Sequence, residues 1–281
     1  MLSASVRAYF RIRPQRFDDA VRLFIAYAAS ALLRVAFPSR FASVGNLVRG
    51  RGNLQVRIDG IRFEVRPRTN DLDLISPKHE PVTTEWFRVK ADDVVVDVGA
   101  HIGRYTLIAA AHNANVIAIE PEPSNFALLE RNVRLNGLSN VALVAMAMTR
   151  RAGSLRLSVA PASNTGTSRV RSDRDDRSIG ASQDGEVSVL GNTLDNLVQK
   201  LRLQRIDWLK IDVEGHEAVV LEGGDVALRI ARRLIVEVTD ETDEVCRNTA
   251  AKHGFTAVSV EPGKPASNLL MEKNRSKAAE A

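Results

Sequence analysis

Aspartate and glycine residues near the middle of the chain have a spacing suited to holding a polar ligand. The stretch 97–103 reads DVGAHIG and closes an apolar run that begins at Val94, a pattern typical of a strand buried on both faces. The glycines allow a sharp turn close to a ligand, and Asp97 can accept from an ammonium or a hydroxyl. A carboxylate here, without G-x-G-x-x-G spacing, disfavours a pyrophosphate. We predict a ligand-binding turn; the alternative is a tight packing turn.

A second acidic residue follows about twenty residues later, where another apolar strand ends in Ile119-Glu120-Pro121. A carboxylate at this place can accept from both ribose hydroxyls of a nucleoside, whereas the alternative is a surface ion pair. The carboxyl ends of parallel strands meet at one edge of a sheet, so we expect both features in one crevice. The residues predicted to bind the ligand are Asp97, Gly99, Ala100, His101, Gly103, Glu120 and Pro121.

A third cluster of ionisable side chains occupies the stretch 209–217, which reads LKIDVEGHE. Asp212 ends a predicted strand, and Glu214 and His216 follow on a turn that contains glycine. One interpretation is substrate positioning with acid–base catalysis, for which His216 has the most suitable unperturbed pKa. The other is a divalent metal held by carboxylates and histidine, which we do not favour, and no metal ligands are assigned. We predict Asp212, His216 and Glu214 as the catalytic residues.

The elements around these motifs alternate between strands and helices from residue 93 onward, which predicts a mainly parallel α/β sheet. Strands are expected at 94–98, 116–120, 141–147, 208–213 and 233–238, and a helix that Ser124 caps at 124–136. Two alternating runs around Asp59-Gly60 predict a hairpin. The polar stretch 160–185 interrupts the pattern and is predicted to be a mobile insertion.

Charge divides the chain unevenly. Residues 1–51 contain nine arginines and two aspartates, whereas residues 52–281 contain thirty basic and thirty-two acidic residues. We divide the chain into a basic helical arm (1–53), a hairpin with the segment leading into the core (54–92), a ligand-binding domain (93–273) and a tail (274–281). The apolar stretch 23–33 is too short to span a bilayer, so it is either a packed helix or an interfacial one. We expect a cytoplasmic protein, with peripheral membrane contact through the arm as the alternative. Cys246 is the only cysteine, which excludes an internal disulfide and a cysteine-based zinc site.

Residues 54–272 resemble the FkbM family of S-adenosylmethionine (SAM)-dependent methyltransferases. The segments that carry the resemblance are 97–103, 119–121, Asn132 with Asn136, 193–195 and 210–217, together with 69–71. The resemblance implies a Rossmann-like, seven-stranded class I methyltransferase fold with a C-terminal antiparallel strand. It also implies SAM as cofactor and O-methylation of a hydroxyl on a sugar, glycolipid or secondary metabolite, that is, a small-molecule or glycan acceptor. The chain departs from the family at His101, where asparagine is frequent, and at His216, where alanine is.

Two other functions remain open at the level of sequence. An NAD-type oxidoreductase shares the acid at the second strand, but the chain lacks G-x-G-x-x-G and a Tyr-x-x-x-Lys pair. A protein that binds SAM without catalysis, or acts as a scaffold, could keep every ligand-binding residue. A nucleic-acid partner is not favoured, because aromatic residues make up only 5% of the chain and form no basic–aromatic run. The sequence predicts no particular oligomeric state.

Overall fold

The computed structural model describes residues 11–36, 43–170, 185–263 and 265–273. The strands in these ranges are β1 (Ile12–Pro14), β2 (Leu54–Ile58), β3 (Ile61–Val65), β4 (Val94–Val98), β5 (Asn115–Ile119), β6 (Val141–Val144), β7 (Ala147–Met148), β8 (Gly153–Ser158), β9 (Arg169–Val170), β10 (Glu186–Asn192), β11 (Ile206–Ile211), β12 (Ala231–Thr239), β13 (Phe255–Glu261) and β14 (Ala266–Lys273). The helices are Phe17–Ala36, Val44–Leu47, Asp71–Leu74, Pro81–Trp86, Arg104–Ala111, Pro123–Leu135, Leu194–Lys200, Glu217–Glu222, Asp225–Ile230 and Asp243–Lys252, with a 3₁₀ helix at Ala162–Thr167.

The main sheet has seven strands in the order β13-β14-β12-β11-β4-β5-β6. Strands β12, β11, β4, β5 and β6 are parallel, and β14 is antiparallel to both of its neighbours. This arrangement confirms the predicted Rossmann-like fold with an antiparallel strand near the C-terminus. It brings the carboxyl ends of β4, β5 and β11 to one edge of the sheet.

Both faces of the sheet are covered by helices, which explains the continuous apolar runs in the sequence. Successive residues of β4 alternate between the two layers: Val95 packs in a core with Leu107 and Leu128, and Val96 packs in a second core with Ile211 and Leu228. The central strands are therefore buried on both sides and form a rigid support for the residues at their ends.

The helix Pro123–Leu135 begins earlier than the sequence predicts. Glu122 caps it, because its carboxylate accepts from the backbone N–H groups of Ser124 (2.9 Å) and Asn125 (2.7 Å). The predicted cap, Ser124, is wrong for a physical reason. Pro123 has the backbone angle of a first helical residue and needs no N–H partner, so the helix starts there.

The hairpin β2–β3 forms as predicted and is fastened to this helix by two asparagines. Asn132 Oδ1 accepts from Glu64 N (2.7 Å), and Asn136 Oδ1 accepts from Arg62 N (2.8 Å). Both asparagines belong to the segments that carried the resemblance. Their side chains satisfy backbone groups of β3, an edge strand that has no further strand beside it among the described residues.

The N-terminal arm differs from the prediction of an entirely helical segment. Ile12–Pro14 forms β1, which pairs antiparallel with β2, because the short run around Ile12 alternates and can extend the hairpin by one strand. The helix Phe17–Ala36 follows and packs against this layer through Leu23 and Ala26. In the part of the chain that the structure describes, no helix is long and apolar enough to cross a membrane.

Part of the predicted insertion has regular structure, and its mobility stays a prediction. Strands β7, β10, β8 and β9 form a second sheet beside the main one. Residues 162–170 of the stretch predicted to be mobile form the 3₁₀ helix and β9, since Thr165 has polar partners in the segment 70–71. Residues 171–184 of the predicted insertion lie outside the described residues.

Candidate functional site

A single cavity lies at the carboxyl ends of β4, β5 and β11. Nearly all of the sequence-predicted site residues border it, namely Asp97, Gly99, Ala100, His101, Glu120, Pro121, Asp212, Glu214 and His216. Gly103 is the exception: it precedes the helix Arg104–Ala111, and a Cβ there would lie 2.7 Å from Leu129 Cδ1. Gly103 therefore permits close helix packing behind the site.

Gly99 joins the two halves of the cavity. Its φ is +83°, and a Cβ on it would lie 1.7 Å from the carbonyl oxygen of Asp212. The backbone N–H of Asp212 in turn donates to Val98 O at 3.0 Å. Only glycine fits this close approach, so the turn after β4 and the turn after β11 share one wall.

Asp97 holds a buried hydrogen-bond acceptor toward the cavity. The residue is 1% exposed, and its Oδ2 accepts from the Thr106 hydroxyl at 2.6 Å. Its Oδ1 is buried and has no hydrogen-bond partner among the described residues. Burial raises the pKa of this carboxyl, and the nearby Lys210 opposes the rise. A buried acceptor of this kind is costly unless a donor reaches it, which fits a bound ammonium.

The Glu120 carboxylate lies across the turn from Asp97. It accepts from the backbone N–H of His101 (2.8 Å) and from that of Glu122 (2.9 Å). Burial raises its pKa to about 7, although these two hydrogen bonds favour the charged form. Each carboxylate oxygen has capacity for a further donor, so Glu120 can also take two vicinal hydroxyls.

His101 connects the turn after β4 with the predicted insertion. Its φ is +50°, and its Nε2 lies 3.1 Å from Thr165 Oγ1. Thr165 also donates to the buried Asp71 carboxylate at 2.7 Å, which forms an ion pair with Arg66. Burial lowers the pKa of His101 to about 4, so its ring is neutral at physiological pH.

Lys210 is the buried cation of the opposite wall. It is 2% exposed, its Nζ donates to Asp212 Oδ2 at 2.7 Å, and it lies 4.8 Å from the ring centroid of Tyr105. Its pKa is raised, because the carboxylates of Asp212 and Glu80 outweigh the effect of burial. Lys210 thus fixes the Asp212 carboxylate at the end of β11.

Two acidic residues of this wall were missed by sequence reasoning, Glu80 and Glu237. One carboxylate oxygen from each of Glu80, Asp212 and Glu237 lies within 4.8 Å of the other two. Glu80 accepts from the Tyr105 hydroxyl (2.7 Å) and from Asn268 Nδ2 (2.9 Å), and the charge of Lys210 keeps its pKa low, at about 2.

The pKa of Glu237 is shifted in the opposite direction from that of Glu80. The neighbouring Asp212 charge and burial raise its pKa to about 10. It lies near the carboxyl end of β12, and the one signal in the sequence is an acid inside the apolar run around residues 234–238. An acid at a strand end next to Asp212 is a candidate for proton transfer.

Two glutamates of the turn after Asp212, the predicted Glu214 and its neighbour Glu217, have different surroundings. Glu214, at φ +55°, borders the cavity, and burial and the Asp212 charge raise its pKa to about 8. Glu217 instead shapes the turn, because its Oε1 accepts from the N–H groups of Val213 (3.1 Å) and Gly215 (2.9 Å).

His216 borders the cavity, but the charged residues that shift its pKa are not those around Asp212. Its pKa is lowered by burial and by Arg150, while Glu222 opposes the shift. Its Nε2 is buried and has no hydrogen-bond partner within the ranges that the structure describes. The general-base role of His216 stays a prediction.

Several known proteins are similar to this chain. The hexuronic acid methyltransferase AglP of Haloferax volcanii is 32% identical over 148 residues, which cover 52% of this chain and 56% of that protein. Methyltransferase 1 of Beauveria bassiana is 27% identical over 186 residues, 60% of this chain and 74% of that protein. The crystal structure of an rRNA methylase from Streptococcus thermophilus aligns with a TM-score of 0.46 at 16% identity, over 71% of this chain and 97% of that one.

The chain thus spans only a little over half the length of the first of these relatives. A family model, the methyltransferase FkbM domain, matches residues 97–261. This match starts at Asp97 and includes the turn after β4, Glu120, the turn after β11 and Glu237. Since it covers more than half of the sequence, the chain belongs to the FkbM methyltransferase family.

Proposed function

We propose that the chain is a SAM-dependent methyltransferase that methylates a hydroxyl oxygen on a small molecule or a glycan. The observation that carries the proposal is the buried, unpartnered Oδ1 of Asp97, a residue that borders the same cavity as Glu120. The donor has an ammonium and two ribose hydroxyls, and two carboxylates match these groups. The hexuronic acid methyltransferase among the relatives supports an acceptor of the sugar class. We assign the activity to residues 93–273.

The walls of the cavity have separate tasks in this proposal. Asp97 accepts from the ammonium, Glu120 accepts from the ribose, and the backbone of Gly99 and Ala100 lies against the donor. His101 orients Glu120 through its backbone N–H, 2.8 Å from the carboxylate. When bound, SAM supplies an activated methyl carbon. The protein therefore has to align the acceptor oxygen and exclude water.

The turn after β11 receives the acceptor hydroxyl. Lys210 holds Asp212 by Oδ2, and Glu237 lies within 4.8 Å of it. Two carboxylates this close share a proton, because both cannot be ionised cheaply. Asp212, the member of the pair that carries the charge, accepts the hydroxyl proton during methyl transfer. Glu214 helps to position the acceptor. His216 is the second candidate for the base, because an imidazole has a suitable pKa.

Calorimetry tests the donor site. The variant Glu120→Gln loses a charge-assisted acceptor worth about 1.5–3 kcal/mol per hydrogen bond, so SAM affinity should fall at least about tenfold. Glu130→Gln, on the helix Pro123–Leu135 and outside the cavity, is the matched control. Unchanged SAM affinity in folded Glu120→Gln, or tight binding of NAD by the wild type, would count against the proposal.

The identity of the base is tested by the release of S-adenosylhomocysteine with a hexuronic acid as acceptor, measured against pH. Loss of a positioned base typically costs about 10²–10⁴-fold in rate. We expect Asp212→Asn to show this loss, because the raised pKa of Glu237, about 10, leaves that residue protonated near neutral pH. His216→Asn and the exposed control Glu241→Gln should stay close to the wild type. The reverse pattern, a slow His216→Asn and an active Asp212→Asn, would assign the base to His216.

Chelation tests a metal-dependent version of the same site. Glu80, Asp212 and Glu237 could together hold a divalent cation. However, Lys210 already donates to Asp212, and Tyr105 and Asn268 donate to Glu80. We therefore expect a chelator to leave activity unchanged. Activity lost to the chelator and restored by Mg²⁺ would reverse this assignment.

A further inference from the structure

The helix Phe17–Ala36 is apolar on the side that faces away from the protein. Phe17, Phe24, Leu32 and Val35 are 86%, 74%, 71% and 83% exposed. At about 100° per residue these positions fall within an arc of roughly 80°, and the exposed Val21 and Ile25 extend the same surface. We call these six side chains the outer face of the helix.

The opposite side of the helix already has its partners. Leu23 and Ala26 are buried against the layer of β1 and β2, and the buried Asp19 accepts from Gln55 N at 3.0 Å. The outer face thus cannot rotate inward to be covered. A helix that is apolar on both sides is normally buried on both sides, and a contiguous apolar patch of this kind marks an interaction surface.

The charge around the outer face indicates what covers it. Residues 1–51 carry nine arginines and two aspartates, whereas the rest of the chain has two more acidic than basic residues. Both aspartates are engaged within the arm, Asp18 with Arg16 and Asp19 with Arg22. In the sequence, the helix is preceded by arginines at positions 7, 11, 13 and 16. A further arginine lies near its end, at position 34, and another follows it, at position 40. An apolar helix face with flanking arginines is complementary to a surface that combines acyl chains with anionic headgroups.

We propose that the helix Phe17–Ala36 binds the surface of an anionic lipid bilayer, with its outer face among the acyl chains and the arginines of the arm at the headgroups. This binding is additional to the proposed methyl transfer and does not depend on it. A second copy of the chain fits less well, because packing two outer faces together would bring two strongly basic arms into contact. The helix lies in the plane of the bilayer, because its inner side stays packed on the protein.

Flotation with lipid vesicles tests the proposal on the full chain. We expect the wild type to float with vesicles of phosphatidylcholine and phosphatidylglycerol at low salt, and to bind vesicles of phosphatidylcholine alone at least about tenfold more weakly. The double variant Phe24→Ser/Leu32→Ser should bind the anionic vesicles at least about tenfold more weakly than the wild type. Leu190→Ser, which changes an exposed leucine of β10, is the matched control and should bind like the wild type.

Several results would overturn the proposal. These are a wild type that does not float with anionic vesicles, a double variant that floats as well as the wild type, or sedimentation of the lipid-free wild type as a dimer that the double variant abolishes. Circular dichroism and SAM calorimetry on the same variants show whether each is folded. SAM binding also reports separately on the methyltransferase proposal, so the failure of one proposal is distinguishable from the failure of the other.

Discussion

The charge on Glu120 should make the ligand-free protein less stable as the pH rises through neutrality. Glu120 is 5% exposed, and burial raises its pKa from 4.5 to about 7. The neutral form is therefore favoured in the folded state relative to the unfolded chain. Its stabilising contribution is complete below pH 4.5 and is lost as the pH rises to 7. A pKa difference of this size corresponds to about 3 kcal/mol.

Urea unfolding of the wild type and Glu120→Gln, without SAM and at a series of pH values from 5 to 8.5, isolates this contribution. In the variant the amide faces one of the two backbone N–H donors, His101 N or Glu122 N, at a cost of about 1–3 kcal/mol that does not change with pH. Other titrating groups, including Glu214 and Glu237, are common to both proteins. The unfolding free energy of the wild type should fall relative to that of the variant by about 2.5 kcal/mol over this range, since a small part of the contribution is already lost at pH 5.

The same carboxyl predicts the pH dependence of SAM binding with the opposite sign. The ionised form accepts from the ribose hydroxyls, so affinity should weaken about tenfold for each pH unit below the pKa of about 7. Calorimetry between pH 5.5 and 8.5 measures this slope, which should be absent in Glu120→Gln. Parallel pH profiles of unfolding in the two proteins, together with a SAM affinity that is flat with pH, would refute the reasoning.

Two further predictions concern the contacts around the cavity. Gly99→Ala should abolish SAM binding measured by calorimetry, because its Cβ would lie 1.7 Å from Asp212 O. The control Gly60→Ala, at φ +89° with open space around it, should bind SAM normally. Normal binding by Gly99→Ala would contradict the close contact between the turn after β4 and the turn after β11. Thr165→Val removes the hydroxyl that donates to the buried Asp71 carboxylate at 2.7 Å, a loss of about 1–3 kcal/mol. Hydrogen exchange at residues 162–167 should therefore become faster, and unchanged exchange would show that other contacts hold this segment.

Local patterns were enough to predict the main sheet and the meeting of three acidic residues at one edge of it. Continuous apolar runs such as β4 and β11 identify strands buried on both faces, and the alternation with helices makes those strands parallel. Parallel strands put their carboxyl ends at one edge, so Asp97, Glu120 and Asp212 could be expected in one cavity without knowledge of the strand order.

The residues missed by sequence reasoning depend on contacts between distant parts of the chain. Glu80 is positioned by Tyr105 and Asn268, which lie 25 and 188 residues away in the sequence. Glu237 lies in an ordinary buried strand, and its perturbed pKa arises from Asp212 on the neighbouring strand. None of these relations has a local signature.

The contact between Gly99 and Asp212 also determines where the site can change during evolution. It uses only the absent side chain of Gly99 and the carbonyl oxygen of Asp212. Positions 214 and 216 border the cavity without contributing their side chains to this wall. If the proposed function holds, descendants of this chain can exchange those side chains, and so acquire new acceptors, while the donor side is inherited unchanged. A substitution at Gly99 would instead disturb donor and acceptor geometry together, and such lineages would lose both in one step.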